Sequence, residues 1–154
     1  MNKKHFPYTD SIVFAAEYIS RVSKEYVRKI IKDNNLPISY EEHIILDTIY
    51  FNPGCIQMEI AKKVFMQRSY LCKIITKLEE LGFIKREKKI KGKRQVVMAV
   101  YLTPKGEEIY KKMHIVIRDS ILNNQLVDID KMIEIKNELF KMGDKIVNTF
   151  NLKL

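Results

Sequence analysis

Residues 67–103 read QRSYLCKIITKLEELGFIKREKKIKGKRQVVMAVYLT, and their spacing changes character partway along. Apolar side chains first recur at Leu71, Ile74, Ile75, Leu78 and Leu81, one stripe of an amphipathic helix. Ser69, Lys73, Thr76 and Glu80 lie opposite, with Tyr70 and Lys77 on the flank. Gly82 follows the last apolar position, as a C-terminal cap does. FIKREKKI and QVVMAVYLT are β-rich runs separated by KGK, which predicts a hairpin with Gly92 supplying the turn.

Working outward, residues 10–32 place Ile12, Ala16, Ile19, Val22, Tyr26, Val27, Ile30 and Ile31 at helical spacing, and NNLP at 34–37 ends that helix. Ser39 with Glu42 three residues on is a capping box and opens a second helix, which NPG at 52–54 stops. IQMEIAKKVF predicts a short third helix with Ile56, Ile60 and Val64 on one side. After the hairpin, Thr103 caps and Pro104 begins a helix reaching about residue 122, with Ile109, Met113, Val116 and Ile117 as apolar positions. A last helix, about 128–150, carries Met132, Ile135, Leu139, Met142, Ile146 and Phe150. A short helix, a turn, an amphipathic helix and a basic hairpin together make a winged helix-turn-helix.

Charge points to the partner. Of 154 residues, 28 are Lys or Arg and 19 Asp or Glu, a net charge of +9. Residues 62–94 hold 12 of the basic and 3 of the acidic residues, so this window carries the whole excess and the remainder balances at 16 of each. A field this localised attracts a polyanion. A membrane surface would need a large apolar moment beside the basic stripe, and here the basic residues sit on a hairpin. No apolar run approaches the roughly 20 residues that span a bilayer, and no apolar core of a signal peptide follows the first lysines, so a cytoplasmic location is expected.

The chain resembles the multiple antibiotic resistance regulator (MarR) family of bacterial transcription factors. The residues that carry the resemblance are SYEEHIIL at 39–46, PGCIQMEIAKKV at 53–64, SYLCKIITKLEELGFIKR at 69–86 and YLTPKGEEIY at 101–110. The resemblance implies a homodimer whose first and last helices interlock. It implies a reading helix in the major groove of each half-site and a wing tip in the neighbouring minor groove. It also implies release of DNA by a small phenolic ligand, a metal or an oxidant. By position, Lys73 and Lys77 fall where the family often places basic residues on the reading helix, and Arg94 where it has a wing-tip arginine. The chain departs from the family at Gly92, where an aspartate is common, and in a stretch from Arg94 to Thr103 about two residues longer than usual.

Independently of the resemblance, duplex DNA needs cations for its phosphates and hydrogen-bonding side chains near the start of the reading helix for its bases. Arg68, Ser69, Tyr70 and Lys73 stand there, with Gln67 capping the helix or meeting a phosphate. Tyr70 borders the apolar stripe, so core packing competes with recognition. Lys62 and Lys63 fit a solvated surface as well as a phosphate contact. On the wing, Lys88, Lys89, Lys91 and Lys93 are expected to meet phosphates and Arg94 to enter a narrow A·T-rich minor groove.

No catalytic constellation is legible: the three histidines are scattered and the pairs Glu79/Glu80 and Glu107/Glu108 fit helix surfaces. Cys55 and Cys72 read as structural thiols rather than redox sensors. Glu42, His43 and His114 echo the zinc-sensing branch of the family but supply too few ligands. The expected molecule is therefore a mainly α, single-domain, dimeric regulator that binds a pseudo-palindromic operator and answers to a small-molecule effector. It has no enzymatic activity, cofactor, metal or membrane partner. Its winged helix-turn-helix spans about 37–103, and dimerisation helices span about 8–34 and 104–154. The competing readings are a winged-helix module that binds protein and a redox- or metal-sensing regulator.

Overall fold

The computed structural model describes residues 7–92, 95–123 and 128–152. A short 3-10 turn at Tyr8–Asp10 leads into α1 (Ile12–Asp33), α2 (Tyr40–Phe51), β1 (Cys55–Ile56), α3 (Gln57–Lys63), α4 (Arg68–Glu80), β2 (Ile84–Lys91), β3 (Gln95–Leu102), α5 (Pro104–Asn123) and α6 (Ile129–Phe150). This is the mainly helical architecture with a hairpin wing that the periodicities predict. No helix among the described residues is long and apolar enough to cross a membrane.

Local chemistry sets the helix boundaries. Ser39 Oγ accepts the Glu42 N–H at 3.2 Å while Glu42 Oε2 accepts the Ser39 N–H at 2.7 Å, the expected capping box of α2. Thr103 Oγ1 accepts the Gly106 N–H at 3.1 Å and donates to the Gly82 carbonyl at 2.6 Å, so one hydroxyl caps α5 and ties it to the end of α4. Gly106 permits this approach, because a Cβ there would lie 1.8 Å from the Phe83 carbonyl oxygen.

Helix α4 stops in a Schellman motif. Gly82 is left-handed at φ +71, and the Phe83 N–H reaches the Leu78 carbonyl at 2.9 Å. Helix α3 closes in the same way at Phe65, φ +51, with the Met66 N–H on the Ala61 carbonyl at 3.0 Å. An L-residue with a Cβ pays about 1–2 kcal/mol for that conformation.

The core joins Ile45, Leu46 and Ile49 of α2, Ile60 of α3, Leu71, Ile75 and Leu78 of α4, Ile84 and Val100 of the hairpin and Met113 of α5, all fully buried. Leu81 was expected on the α4 stripe but is 38% exposed, because the helix has turned into its cap before reaching it. Ile56 was expected on α3 and instead lies in β1. That strand pairs with β3 (Cys55↔Val100, Ile56↔Ala99) and makes the sheet order β1-β3-β2.

The two terminal stripes behave differently from the core. In α1 only the last turns join it, through Tyr26, Val27, Ile30 and Ile31, while Ile12, Ile19 and Val22 are exposed. Helix α6 buries none of its residues, and its apolar stripe from Met132 to Phe150 is open.

Candidate nucleic-acid interface

The inner face of α4 (Leu71, Ile74, Ile75, Leu78) is buried, so its N-terminal polar face must look outward. Arg68, Ser69, Tyr70 and Lys73 are all exposed there. Tyr70, at 49% exposure, is not a core residue. Gln67 occupies the N-cap position, but its side chain makes no capping hydrogen bond and is exposed.

Lys77 has a different situation. Its Nζ lies 2.6 Å from Glu42 Oε1, where the lysine side chain is 59% and the glutamate 4% exposed. Burial pushes the Glu42 carboxyl up, but the hydrogen bonds from Lys77 and Ser39 outweigh it and hold the group below the ordinary carboxylate range. Expected to face DNA, Lys77 instead directs its ammonium to a buried anion and joins α4 to the first turn of α2.

A second clip fixes the wing. Arg86 of β2 donates through Nε to Glu79 Oε2 at 2.9 Å and through Nη2 to the same oxygen. This pairing with Arg86 pulls the Glu79 carboxyl down. Lys85 pairs with Glu87 at 2.7 Å. Two of the three carboxylates in the basic window are thus engaged by neighbouring cations. Among the described residues, Lys62, Lys63, Arg68, Lys73, Lys88 and Lys89 are exposed and have no carboxylate partner. The basic field is therefore presented outward by these side chains.

Strand alternation divides the wing lysines. In β2, Lys88 shares a face with Arg86, which is turned toward α4, whereas Lys89 shares the opposite face with Lys85 and Glu87. An open cleft of about 420 Å³ separates the hairpin from the start of α4. Gln57 and Met58 line it on the α3 side, Arg68 at the start of α4, and Arg86, Gln95 and Met98 on the wing. Gly92 adopts φ +64 at the tip, as the hairpin requires. Lys93, Arg94 and the side chain of Lys91, each expected at DNA, lie outside the described residues.

The sensing candidates do not converge. Cys55 is buried, and burial pushes its thiol up. Cys72 donates to Gln57 Oε1 at 3.4 Å, linking α4 to α3. Glu42 is engaged by Lys77, and the rings of His43 and His114 flank Tyr110 at 6.0 and 5.7 Å. The described residues form no group of three or more His, Cys, Asp or Glu side chains suited to hold a metal ion.

The sequence reading missed Tyr110 itself. It is buried between α5 and α2, packs on Tyr50 at 4.5 Å and donates to Asp47 Oδ1 at 2.9 Å. The signal was present, since Gly106, Tyr110, Met113 and Ile117 recur at helical spacing and are the buried residues of α5.

Known proteins agree with this architecture. Residues 38–96 match the MarR family, a segment running from the start of α2 into the wing. The HTH-type transcriptional regulator Hpr of Bacillus licheniformis is 33% identical over 120 residues, covering 73% of this chain and 57% of Hpr. The HTH-type transcriptional regulator BilQ of Clostridium symbiosum is 36% identical over 80 residues, covering 48% of this chain and 54% of BilQ. The chain thus spans little more than half the length of these curated relatives. MepR of Staphylococcus aureus, solved in complex with DNA, shares the fold with a TM-score of 0.69 at 17% identity, over 91% of this chain and 99% of MepR. The winged-helix segment of the chain is thus similar to the MarR family, and the chain as a whole shares the fold of MepR.

Proposed function

We propose that the chain is a dimeric transcriptional regulator that binds a pseudo-palindromic duplex operator and is released by a small-molecule signal, most simply acting as a repressor in the cytoplasm. The observation that carries this is the set of unpartnered cations on α3, the start of α4 and β2. They flank a cleft between a reading helix and a wing that are each clipped in place by an ion pair. Rigid donors aimed at one surface are what base readout requires, and exposed cations supply the phosphate affinity.

Within this reading Arg68, Ser69, Tyr70 and Lys73 face base edges, and Gln67 lies at the mouth of the groove. Lys62, Lys63 and Lys88 meet phosphates on the reading-helix side. Lys91 and Lys93 serve the phosphates near the tip, and Arg94 enters the minor groove. The open stripes of α1 and α6 are covered by a second copy, because apolar faces of this length do not remain in water. MepR, a protein of the same fold, has been captured on DNA, which agrees with this assignment.

The experiment is selection of bound fragments from a random duplex pool. An enriched, two-fold symmetric sequence with half-sites about one helical turn apart is expected. Binding without enrichment would reduce the chain to a non-specific polycation.

A further inference from the structure

Phe65 stands in a place that its chemistry does not favour. Left-handed residues close α1, α3, α4 and α6, and at the other three they are Asn35, Gly82 and Asn151, residues that tolerate the conformation. At α3 the residue is a phenylalanine, φ +51. Its ring does not compensate by joining the core: at 82%, it is the most exposed large apolar residue among those described. Strain and apolar exposure together contribute nothing to the fold, and an outlier of this kind points to a task outside it.

Its surroundings say what task. Phe65 lies two residues before Gln67, the N-cap of α4. Its backbone N–H is tied to the Lys62 carbonyl and that of Met66 to Ala61, so its Cα is fixed relative to the start of the reading helix. With Met58 and Met66 it lines an open depression of about 530 Å³, which Lys62 and Arg68 rim. Among the described residues these two cations have no carboxylate partner, so the depression offers an apolar point beside free positive charge, which suits an anionic partner. In a duplex major groove the apolar group offered to a side chain is the 5-methyl of thymine.

We propose that Phe65 is a specificity-determining residue, its ring resting with Met58 against a thymine methyl beside the bases reached from Arg68. This rests on the DNA-binding reading above.

The test uses the full-length protein and the selected operator, with each thymine replaced singly by deoxyuridine, which removes only the methyl group. Wild-type protein should lose affinity about fourfold at one thymine per half-site, corresponding to the roughly 0.8 kcal/mol of one buried carbon. F65A and F65G should bind thymine and deoxyuridine operators equally. F65G should also unfold at or above the wild-type midpoint, since glycine relieves the left-handed strain, so a misfolded variant cannot account for the lost discrimination. The proposal is overturned if no thymine matters to the wild type. It is equally overturned if either variant keeps the discrimination, the outcome expected were Phe65 a protein-docking residue. A chain that selects no duplex sequence would overturn the operator reading itself, a result separate from either of these.

Discussion

Glu42 Oε1 accepts Lys77 Nζ at 2.6 Å, and the same carboxylate caps α2 through the Ser39 N–H at 2.7 Å. One buried side chain therefore fixes both the start of α2 and the pose of the reading helix. Its carboxyl lies below its ordinary value near 4.5, so the native state binds this proton less readily than the unfolded chain. The stabilisation is then fully present above about pH 4.5 and is lost as pH falls through the native value. Glu42→Gln should lower stability by about 1–2 kcal/mol at pH 7 and flatten the acid limb of an unfolding-midpoint profile between pH 7 and 3. An unchanged acid limb would remove Glu42 from this role.

The partner substitution separates two functions for one lysine. Lys77→Ala should reduce stability by about 1 kcal/mol, because its own side chain is more than half exposed and water can reach the carboxylate it leaves. The salt slope of operator binding should stay at the wild-type value. A slope reduced by about two per dimer would instead place Lys77 on a phosphate, as its position on the helix alone suggests.

Tyr110 and Asp47 join α5 to α2 by a hydrogen bond of 2.9 Å. Burial, then the Asp47 contact, raises the tyrosine's pKa well above its ordinary 10. A raised value means the stabilisation is complete below about pH 10 and declines as pH rises further. Tyr110→Phe should cost about 1 kcal/mol at neutral pH and lessen the alkaline decline, read from unfolding midpoints between pH 8 and 11. An alkaline limb identical in both proteins would rule the contact out as its source.

Much of this was legible because it is local. The Ser39–Glu42 box, the Gly82 stop and the hairpin flanking Gly92 each need only a few neighbouring residues to be recognised. Strand β1 was not legible: two residues carry no periodicity, and Cys55 and Ile56 are strand only because β3 lies beside them. Leu81 kept the helical period while the cap had already ended the helix. The Lys77–Glu42 ion pair was not legible for another reason. A cation on a helix flank looks the same whether it faces a phosphate or a carboxylate on another helix, and only packing decides. Phe65 shows the converse, since nothing in the sequence sets it apart until its φ and exposure are known.

The open stripes of α1 and α6 give a direct prediction for assembly. Ile135, Leu139 and Met142 are exposed on one side of a helix that buries nothing within its own chain. Leu139→Glu should place a charge in a two-fold interface and shift sedimentation from dimer to monomer, with operator affinity falling at the same protein concentrations. Removing residues 128–154 should do the same more completely. A truncated monomer binding the operator at full affinity would show that α6 serves some other purpose.

The wing offers the sharpest separation, because it rests on adjacent residues of one type. Lys88 and Lys89 are both exposed, yet strand alternation puts Lys88 on the Arg86 face, toward α4, and Lys89 on the face of Lys85 and Glu87. A duplex lying against α4 meets the face that carries Arg86 and Lys88. Lys88→Ala should therefore remove one phosphate contact from each subunit and lower the magnitude of the salt slope by about two for the dimer. Lys89→Ala should change it by less than half as much, through the general field alone. Both substitutions leave the Glu79–Arg86 clip intact, so the fold of the wing is common to the comparison. Measured over a range of salt on one operator, equal slopes for the two variants would mean that the tip of the wing, rather than its α4-facing side, meets the backbone.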